Sequence, residues 1–374
     1  GPQADGRGFL VKTDILIVGG GLAGLSLAAT LEAEGRNWHL LEAQTTLGGR
    51  IRSPEIGGAR FDLGPAWFWP GQPRLAALVR LLGISVFEQF SAGAQVYEDR
   101  AGLVHVHQGS ASMSGSLRVE GGMESLIRGL ANALPANRVW TDETVTLLRQ
   151  TGSRVVACHK TGAISAHRVV LALPPRIAAE TIRYEPTLPE TVMAAMAAVP
   201  TWMAGQAKIL AVYDKPHWRE AGLSGDAASQ RGPMVEMHDA SPATGGPYAI
   251  FGFVGLPATT RALRKADVII AARRQLVSLF GPAMADPLSI EMMDWAHEPQ
   301  IATRLDQAPP SYHPNYGLPA ALRDVWNGKL LFGSTEMASE FGGYLEGALE
   351  AAERTSAELR AHSVGSLSLI HISE

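Results

Sequence analysis

Apolar positions in this chain follow two different periods. Asp14-Ile15-Leu16-Ile17-Val18 is a β-branched run uninterrupted after Asp14, the pattern of a strand buried on both faces. Gly19-Gly20-Gly21-Leu22-Ala23-Gly24 follows at once. Residues 25–35 then place Leu27, Ala28 and Leu31 at helical spacing, with Gly35 as the stop. Trp38–Leu41 predicts a second strand ending at Glu42, so the chain opens with a βαβ unit. The same reading predicts helices over 124–134, 267–280 and 345–359. It predicts strands over 154–158, 169–173, 208–213, Tyr248–Val254 and Leu330–Phe332. Alternating β and α segments predict a doubly wound α/β sheet, with a β-rich second domain inserted between its pieces.

Composition removes whole classes of function. Hydrophobic residues make up 46% of the 374 and charged residues 18%, which excludes a disordered chain. A net charge of −4 gives no electrostatic footprint for nucleic acid. The single cysteine, Cys158, excludes a disulfide framework. The uncharged run of residues 15–31 is too short to span a bilayer and carries four glycines. No charged region followed by an apolar stretch opens the chain, so a cytoplasmic protein with no membrane partner is expected. Gly1-Pro2 reads as a protease scar. The end from Ser363 reads like translated adapter DNA, which points to a bacterial, metagenomic gene. Residues 1–11 and 363–374 are therefore set apart as appended or disordered ends.

The glycine turn carries chemistry. In GxGxxG the first glycine, Gly19, makes the tight turn and the second, Gly21, lets a pyrophosphate approach the backbone. The third, Gly24, lets helix pack on strand. The helix N-terminus supplies free N–H groups and the positive end of its dipole. Glu42, 18 residues after Gly24, is placed to accept hydrogen bonds from both ribose hydroxyls. A carboxylate there disfavours the 2′-phosphate of NADP and leaves NAD or FAD.

The next segments decide between them. Gly48-Gly49-Arg50-Ile51-Arg52-Ser53 comes first. Phe61-Asp62-Leu63-Gly64-Pro65-Ala66-Trp67, Gly121-Gly122-Met123 and Thr141-Asp142-Glu143-Thr144-Val145 follow. Ala172-Leu173-Pro174-Pro175 and Lys208, ahead of Tyr213-Asp214-Lys215-Pro216-His217-Trp218, come next. Last are Phe332-Gly333-Ser334-Thr335-Glu336 and Gly343-Tyr344-Leu345-Glu346-Gly347-Ala348. Together and in this order they resemble the flavin-containing amine oxidase family over about residues 12–362.

The resemblance implies a Rossmann-like FAD-binding domain from residues 12–66, 118–182 and 326–362. An inserted mixed-sheet and helical substrate domain would take 67–117 and 183–325. It implies FAD contacts from Gly19, Gly21, Leu22, Ala23 and Gly24, and from Glu42, Ala43 and Gln44. It adds Gly49 and Arg50, the flavin-side run Leu63, Gly64, Pro65 and Ala66, then Val145, Thr335, Glu336 and Leu345. Lys208, Tyr344 and Trp67 are implied at the reacting centre, Lys208 holding a water against the flavin. Lys208 also stands out unaided, as one of six lysines and the sole charge in an apolar strand. Arg50 can pair bidentately with a phosphate.

Departures from the family refine this. Gln44 and Thr46 stand where many members carry arginines. No cysteine lies in Ile301-Ala302-Thr303-Arg304-Leu305, so the FAD is expected to be non-covalent. Arg304 or Leu305 falls where an aromatic wall usually stands, leaving the aromatic cage half present, with Trp67 compensating. Fewer than 50 residues separate Arg74 from Gly121, and one helix, 74–82, fits there. The cavity is then more open, or closed by a second copy in a homodimer. His105 and His107 share a strand face without the further ligands a metal needs, and no metal is expected.

The expected function is oxidation of a small-molecule amine to an imine by FAD, with dioxygen as the acceptor and hydrogen peroxide formed. A flavin dehydrogenase or desaturase of a non-amine, and a non-catalytic FAD-binding protein, are the alternatives.

Overall fold

Strand Leu10–Val18 begins exposed and becomes wholly buried from Ile15 onward, because it runs into the middle of an eight-stranded sheet. The structure is a computed structural model that describes residues 9–372. Of the two ends set apart by sequence, residues 1–8 and 373–374 lie outside the described residues. The first strand starts at Leu10 and the last helix is Leu345–Ile372. The chain forms two units.

The first unit takes the described residues up to Gly49, then Leu126–Trp202, then those from Tyr312 on. Leu10–Val18 pairs in parallel with Trp38–Leu41 on one side and with Gly162–Leu171 on the other. Leu330–Phe332 joins Gly162–Leu171 in parallel, and Val139–Trp140 joins Trp38–Leu41. Arg154–His159 and Val145–Thr151 extend the sheet antiparallel. Strands covered on both faces need continuous apolar runs, which is why these read so plainly in sequence. Helix Leu22–Ala33 buries Leu25, Leu27 and Leu31 and packs along Leu345–Ile372.

The second unit takes Arg50–Ser125 and Met203–Ser311. Its seven-stranded sheet runs in the order Ser289–Asp294, Ala207–Tyr213, Tyr248–Val254, Met234–Asp239, Leu223–Ser229, Ala94–Glu98 and Val104–His107. Ala207–Tyr213 is buried on both faces. Ala207, Ile209, Ala211 and Tyr213 pack in one core with Leu276 and Leu279 of helix Lys265–Phe280. Leu210 and Val212 point the other way, onto Phe61, Leu63 and Phe251. Lys208 shares their parity, so the two-residue period of a strand places it on the Phe61 side.

The two compact units divide the chain differently from the expected domains in four places. Residues 50–66 and 118–125 fall in the second unit, where Phe61 and Leu63 join the core of Leu210 and Phe251. Residues 183–202 and 312–325 fall in the first. There Arg183–Glu185 adds an edge strand beside Val145–Thr151, and Val192, Met196, Leu322 and Val325 join the core of Leu16 and Val169. Between Arg74 and Gly121 one helix, Pro73–Leu81, is present as expected. Four short strands joined by turns follow, and two of them, Ala94–Glu98 and Val104–His107, extend the second sheet.

Candidate cofactor and reaction site

The three glycines of the turn differ in why they are glycine. A Cβ on Gly24 would lie 1.9 Å from the Gly19 oxygen, and one on Gly19 would lie 2.3 Å from the Ala172 oxygen at a φ of +116°. Both are demanded by the packing of the fold itself. A Cβ on Gly21 would meet nothing nearer than 3.7 Å, and its φ of −80° suits any residue. The protein does not need a glycine there for its own packing, and a group lying against that backbone would. Gly21 is also the N-cap of Leu22–Ala33 and makes no side-chain cap. The first donors of that helix have no acceptor inside it.

Glu42 is drawn into the same turn. One carboxylate oxygen accepts Gly20 N–H at 2.8 Å and the other accepts Gln44 N–H at 2.7 Å. Each oxygen keeps further lone pairs, so acceptor capacity for a ribose remains. Burial pushes its pKa up, opposed by the backbone N–H groups of Gln44, Gly20 and Ala43. Gly48 N–H bonds Gly20 O and brings Gly49 onto Gly21. Asp142 N–H and Glu143 N–H bond the carbonyls of Gln44 and Glu42, which lays the segment before Val145 beside them.

The C-terminal signature closes on itself through Thr335. Its hydroxyl accepts Gly343 N–H at 3.0 Å and donates to Tyr344 O at 2.7 Å, tying Thr335–Met337 to the start of Leu345–Ile372. Ser334 Oγ, at the head of that turn, is buried and has no hydrogen-bond partner among the described residues. An open glycine at a helix N-terminus and an orphaned buried hydroxyl fit a polar group that the chain alone does not supply.

In the second unit Lys208 is 4% exposed. Its Nζ donates to Gly64 O at 2.8 Å and Asp62 O at 3.2 Å, and lies 4.1 Å over the Phe251 ring and 5.7 Å from that of Phe253. Its third N–H has no partner among the described residues. Burial lowers its pKa to about 8; the Asp62 charge opposes the fall and Arg118 adds to it. Asp62 is itself held by Ser53 Oγ–H and Met123 N–H. The small residues Gly64, Pro65 and Ala66 continue from this cradle to Trp67.

Trp67 is fixed by neighbours the sequence did not name. Its indole N–H donates to Gln89 at 2.8 Å, and its ring meets His238 edge-on at 4.9 Å and Phe251 at 5.4 Å. His238 sits between Asp226 and Glu236. Burial favours the neutral imidazole, but the two carboxylates beside it outweigh that and raise its pKa. No motif spacing joins these residues, since Trp67 and Gln89 lie in loops while Asp226, His238 and Phe251 come from three different strands.

The aromatic neighbour of Tyr344 also departs from expectation. Leu305 is exposed. His313, which the sequence reading passed over, stacks on Tyr344 with centroids 4.7 Å apart. His105 is closer to a carboxylate than expected, 2.9 Å from Asp99. No group of three or more His, Cys, Asp or Glu side chains among the described residues is placed to hold a metal. No helix among them is long and apolar enough to cross a membrane. Cys158 is a free thiol on Arg154–His159.

Comparison with known proteins bears on this arrangement. A family model described as flavin containing amine oxidoreductase matches residues 86–360. One described as NAD(P)-binding Rossmann-like domain matches 17–82. A Mycobacterium tuberculosis protein provisionally named flavin-containing monoamine oxidase AofH is 32% identical over 251 residues, 65% of this chain and 52% of that protein. Putrescine oxidase of Kocuria rosea is 34% identical over 165 residues, 41% of this chain and 34% of that protein. The chain therefore spans about half, or less, of these two relatives. A solved structure of putrescine oxidase bound to putrescine superposes with a TM-score of 0.76 at 21% identity, covering 94% of this chain and 100% of that one. Cyclohexylamine oxidase from Brevibacterium oxydans superposes at 0.78 and 20% identity, covering 92% and 98%. At these identities the structural likeness is one of fold.

Proposed function

This chain belongs to the flavin-containing amine oxidoreductase family, and from that premise we propose that it is an FAD-dependent oxidase of small-molecule amines. The observation that carries the reading is the pairing of two features. One is a glycine, Gly21, that the fold does not itself require; the other is a lysine buried to 4% exposure with a donor to spare. When bound, the flavin supplies the redox chemistry, taking the equivalent of a hydride from the amine's α-carbon and passing the electron pair to dioxygen, with an imine and hydrogen peroxide as products.

The chain's own residues bind and orient. Gly21 leaves the backbone open to a pyrophosphate, and the N–H groups that follow it donate to the phosphate oxygens. Glu42 accepts from ribose hydroxyls through the lone pairs that Gly20 and Gln44 leave unused. Lys208 holds a water on its third N–H, as the resemblance gives it. The N-terminus of Leu345–Ile372, directly after Tyr344, presents the positive end of a helix dipole, suited to negative charge developing on reduction. Tyr344, as the resemblance gives it, supplies aromatic surface for the substrate. Attachment is non-covalent: the one thiol, Cys158, sits on an antiparallel strand of the first sheet.

Three measurements on the purified protein test the reading together. The protein takes up FAD and turns yellow. Acid precipitation releases the colour into the supernatant, whereas a yellow pellet contradicts non-covalent binding. A panel of amines yields peroxide under air. A protein that takes up FAD but reacts with conjugated ring compounds alone is the dehydrogenase or desaturase, and one that reacts with nothing is a binding protein.

A further inference from the structure

Lys208 Nζ bonds two groups that can only accept, the carbonyls of Asp62 and Gly64. Its third position is therefore decided by protonation alone. An ammonium presents an N–H there, and a neutral amine presents a lone pair. That difference sets whether the lysine donates to a water or accepts from one. The backbone does not settle it, since both forms satisfy the same two carbonyls.

Burial favours the neutral amine. Few groups around Nζ oppose it. Phe253 and Met293 stand opposite Lys208 on the flanking strands, and Nζ lies over the Phe251 ring; none of the three titrates. Arg118, 6% exposed, is a second buried cation, and its guanidinium donates to the carbonyls of Ser241 and Ala240. Neither cation is hydrogen-bonded to a carboxylate among the described residues.

Asp62 supplies the opposite charge. It is 5% exposed, and its own carbonyl receives Nζ, so its carboxylate lies one side chain away. Oδ1 accepts Ser53 Oγ–H at 2.6 Å and Met123 N–H at 2.9 Å. Gly122 brings the Met123 segment close. Its φ is +79°, and a Cβ there would lie 2.7 Å from Ser53 Oγ and 3.3 Å from Asp62 Oδ1. Both donors are neutral, so they fix the carboxylate without cancelling its charge. Burial raises the pKa of Asp62, and Arg118 and Lys208 oppose that rise.

We propose that Asp62 is a positioning residue for the reaction: its buried carboxylate keeps Lys208 an ammonium, and so keeps the third hydrogen bond of Lys208 a donated one. The proposal rests on the reading of Lys208 as the residue that holds a water at the flavin. The Asp62 charge opposes the fall of the Lys208 pKa to about 8, and Arg118 deepens that fall. Without the carboxylate the fall continues. Coupling between two sites is mutual, so Lys208 favours ionised Asp62 to the same degree.

The test reads the proton on Lys208 directly. The chain has six lysines, and carbon-13 lysine gives one ε-carbon signal for each. The signal missing from Lys208→Met identifies Lys208. Asp62→Asn keeps an oxygen for Ser53 and Met123 and removes the charge. With FAD loaded, the Lys208 midpoint in Asp62→Asn should lie at least about one pH unit below that of the parent. The same difference is expected in the apoprotein, where the parent should titrate near 8. In stopped-flow, the half-reaction that slows in Lys208→Met should follow the lower midpoint in Asp62→Asn. An unchanged Lys208 midpoint overturns the proposal. If Asp62→Asn does not fold, the reciprocal titration decides. One aspartate carboxyl signal should then move its midpoint up by at least about one pH unit in Lys208→Met, and the absence of such a signal overturns the proposal. Neither titration uses a substrate. Bleaching of the parent by amines tests the amine-oxidase reading separately, so each can fail without the other.

Discussion

The glycine turn of the first unit and the lysine cradle of the second unit are built on opposite plans. The turn is local. Gly19, Gly21 and Gly24 lie within six residues, and its proposed role rests on what is missing, a side chain at Gly21. The cradle is assembled from afar. Lys208 is tied to Asp62 and Gly64, 146 and 144 residues away in sequence, and its proposed role rests on what is buried at a cost. A site made of backbone tolerates no bulk but carries no charge to misplace. A site made of a desolvated cation tolerates bulk but is sensitive to pH.

Substitutions can sharpen that contrast. The largest expected effect is on folding. Gly24→Ala forces a Cβ to 1.9 Å from a backbone oxygen, and a loss of about 3 kcal/mol or more in denaturant unfolding of the apoprotein is expected. The next is on pH dependence. Lys208 holds its proton less tightly folded, at about 8, than at its ordinary 10.5. Between those values the unfolded chain binds more protons, so stability rises with pH and falls again as pH drops toward 8. Relative to Lys208→Met, the parent apoprotein should gain on the order of 3 kcal/mol across that window by urea titration. The same variant, loaded with FAD, should slow one half-reaction by at least about tenfold in stopped-flow. Glu42→Ala should weaken FAD binding by about 1.5–3 kcal/mol for each ribose hydrogen bond lost. The smallest effect on the fold belongs to Gly21→Ala. Unfolding should change by less than about 1 kcal/mol, while FAD affinity falls at least tenfold. If Gly21→Ala unfolds the protein as Gly24→Ala does, the distinction between the two glycines is wrong.

The same contrast explains what could be read without coordinates. The βαβ unit, Glu42 and the Leu330–Phe332 strand were legible because each is fixed by neighbours in sequence or by continuous burial. Lys208 was legible as an anomaly, a charge in an apolar strand, yet its partners were not. Nothing in sequence says that Phe251 and Phe253 pass over its Nζ, since that follows from the antiparallel register of Ala207–Tyr213 with Tyr248–Val254. The division into these two units was not legible for a related reason. Phe61 and Leu63 sit in the N-terminal stretch but are buried by a sheet formed about 150 residues later. His313 escaped because stacking on Tyr344 is a tertiary fact, and a lone histidine beside a proline has no periodic signature.

One experiment bears most directly on the central claim that a flavin held by the first unit oxidises an amine. FAD-loaded protein is mixed with a primary amine under strictly anaerobic conditions while the flavin absorbance is followed, and air is then admitted. The account predicts that the yellow colour bleaches with amine and not with buffer, and that it returns with one peroxide released per flavin. A flavin that stays yellow through a panel of primary, secondary and polyamine substrates would contradict it.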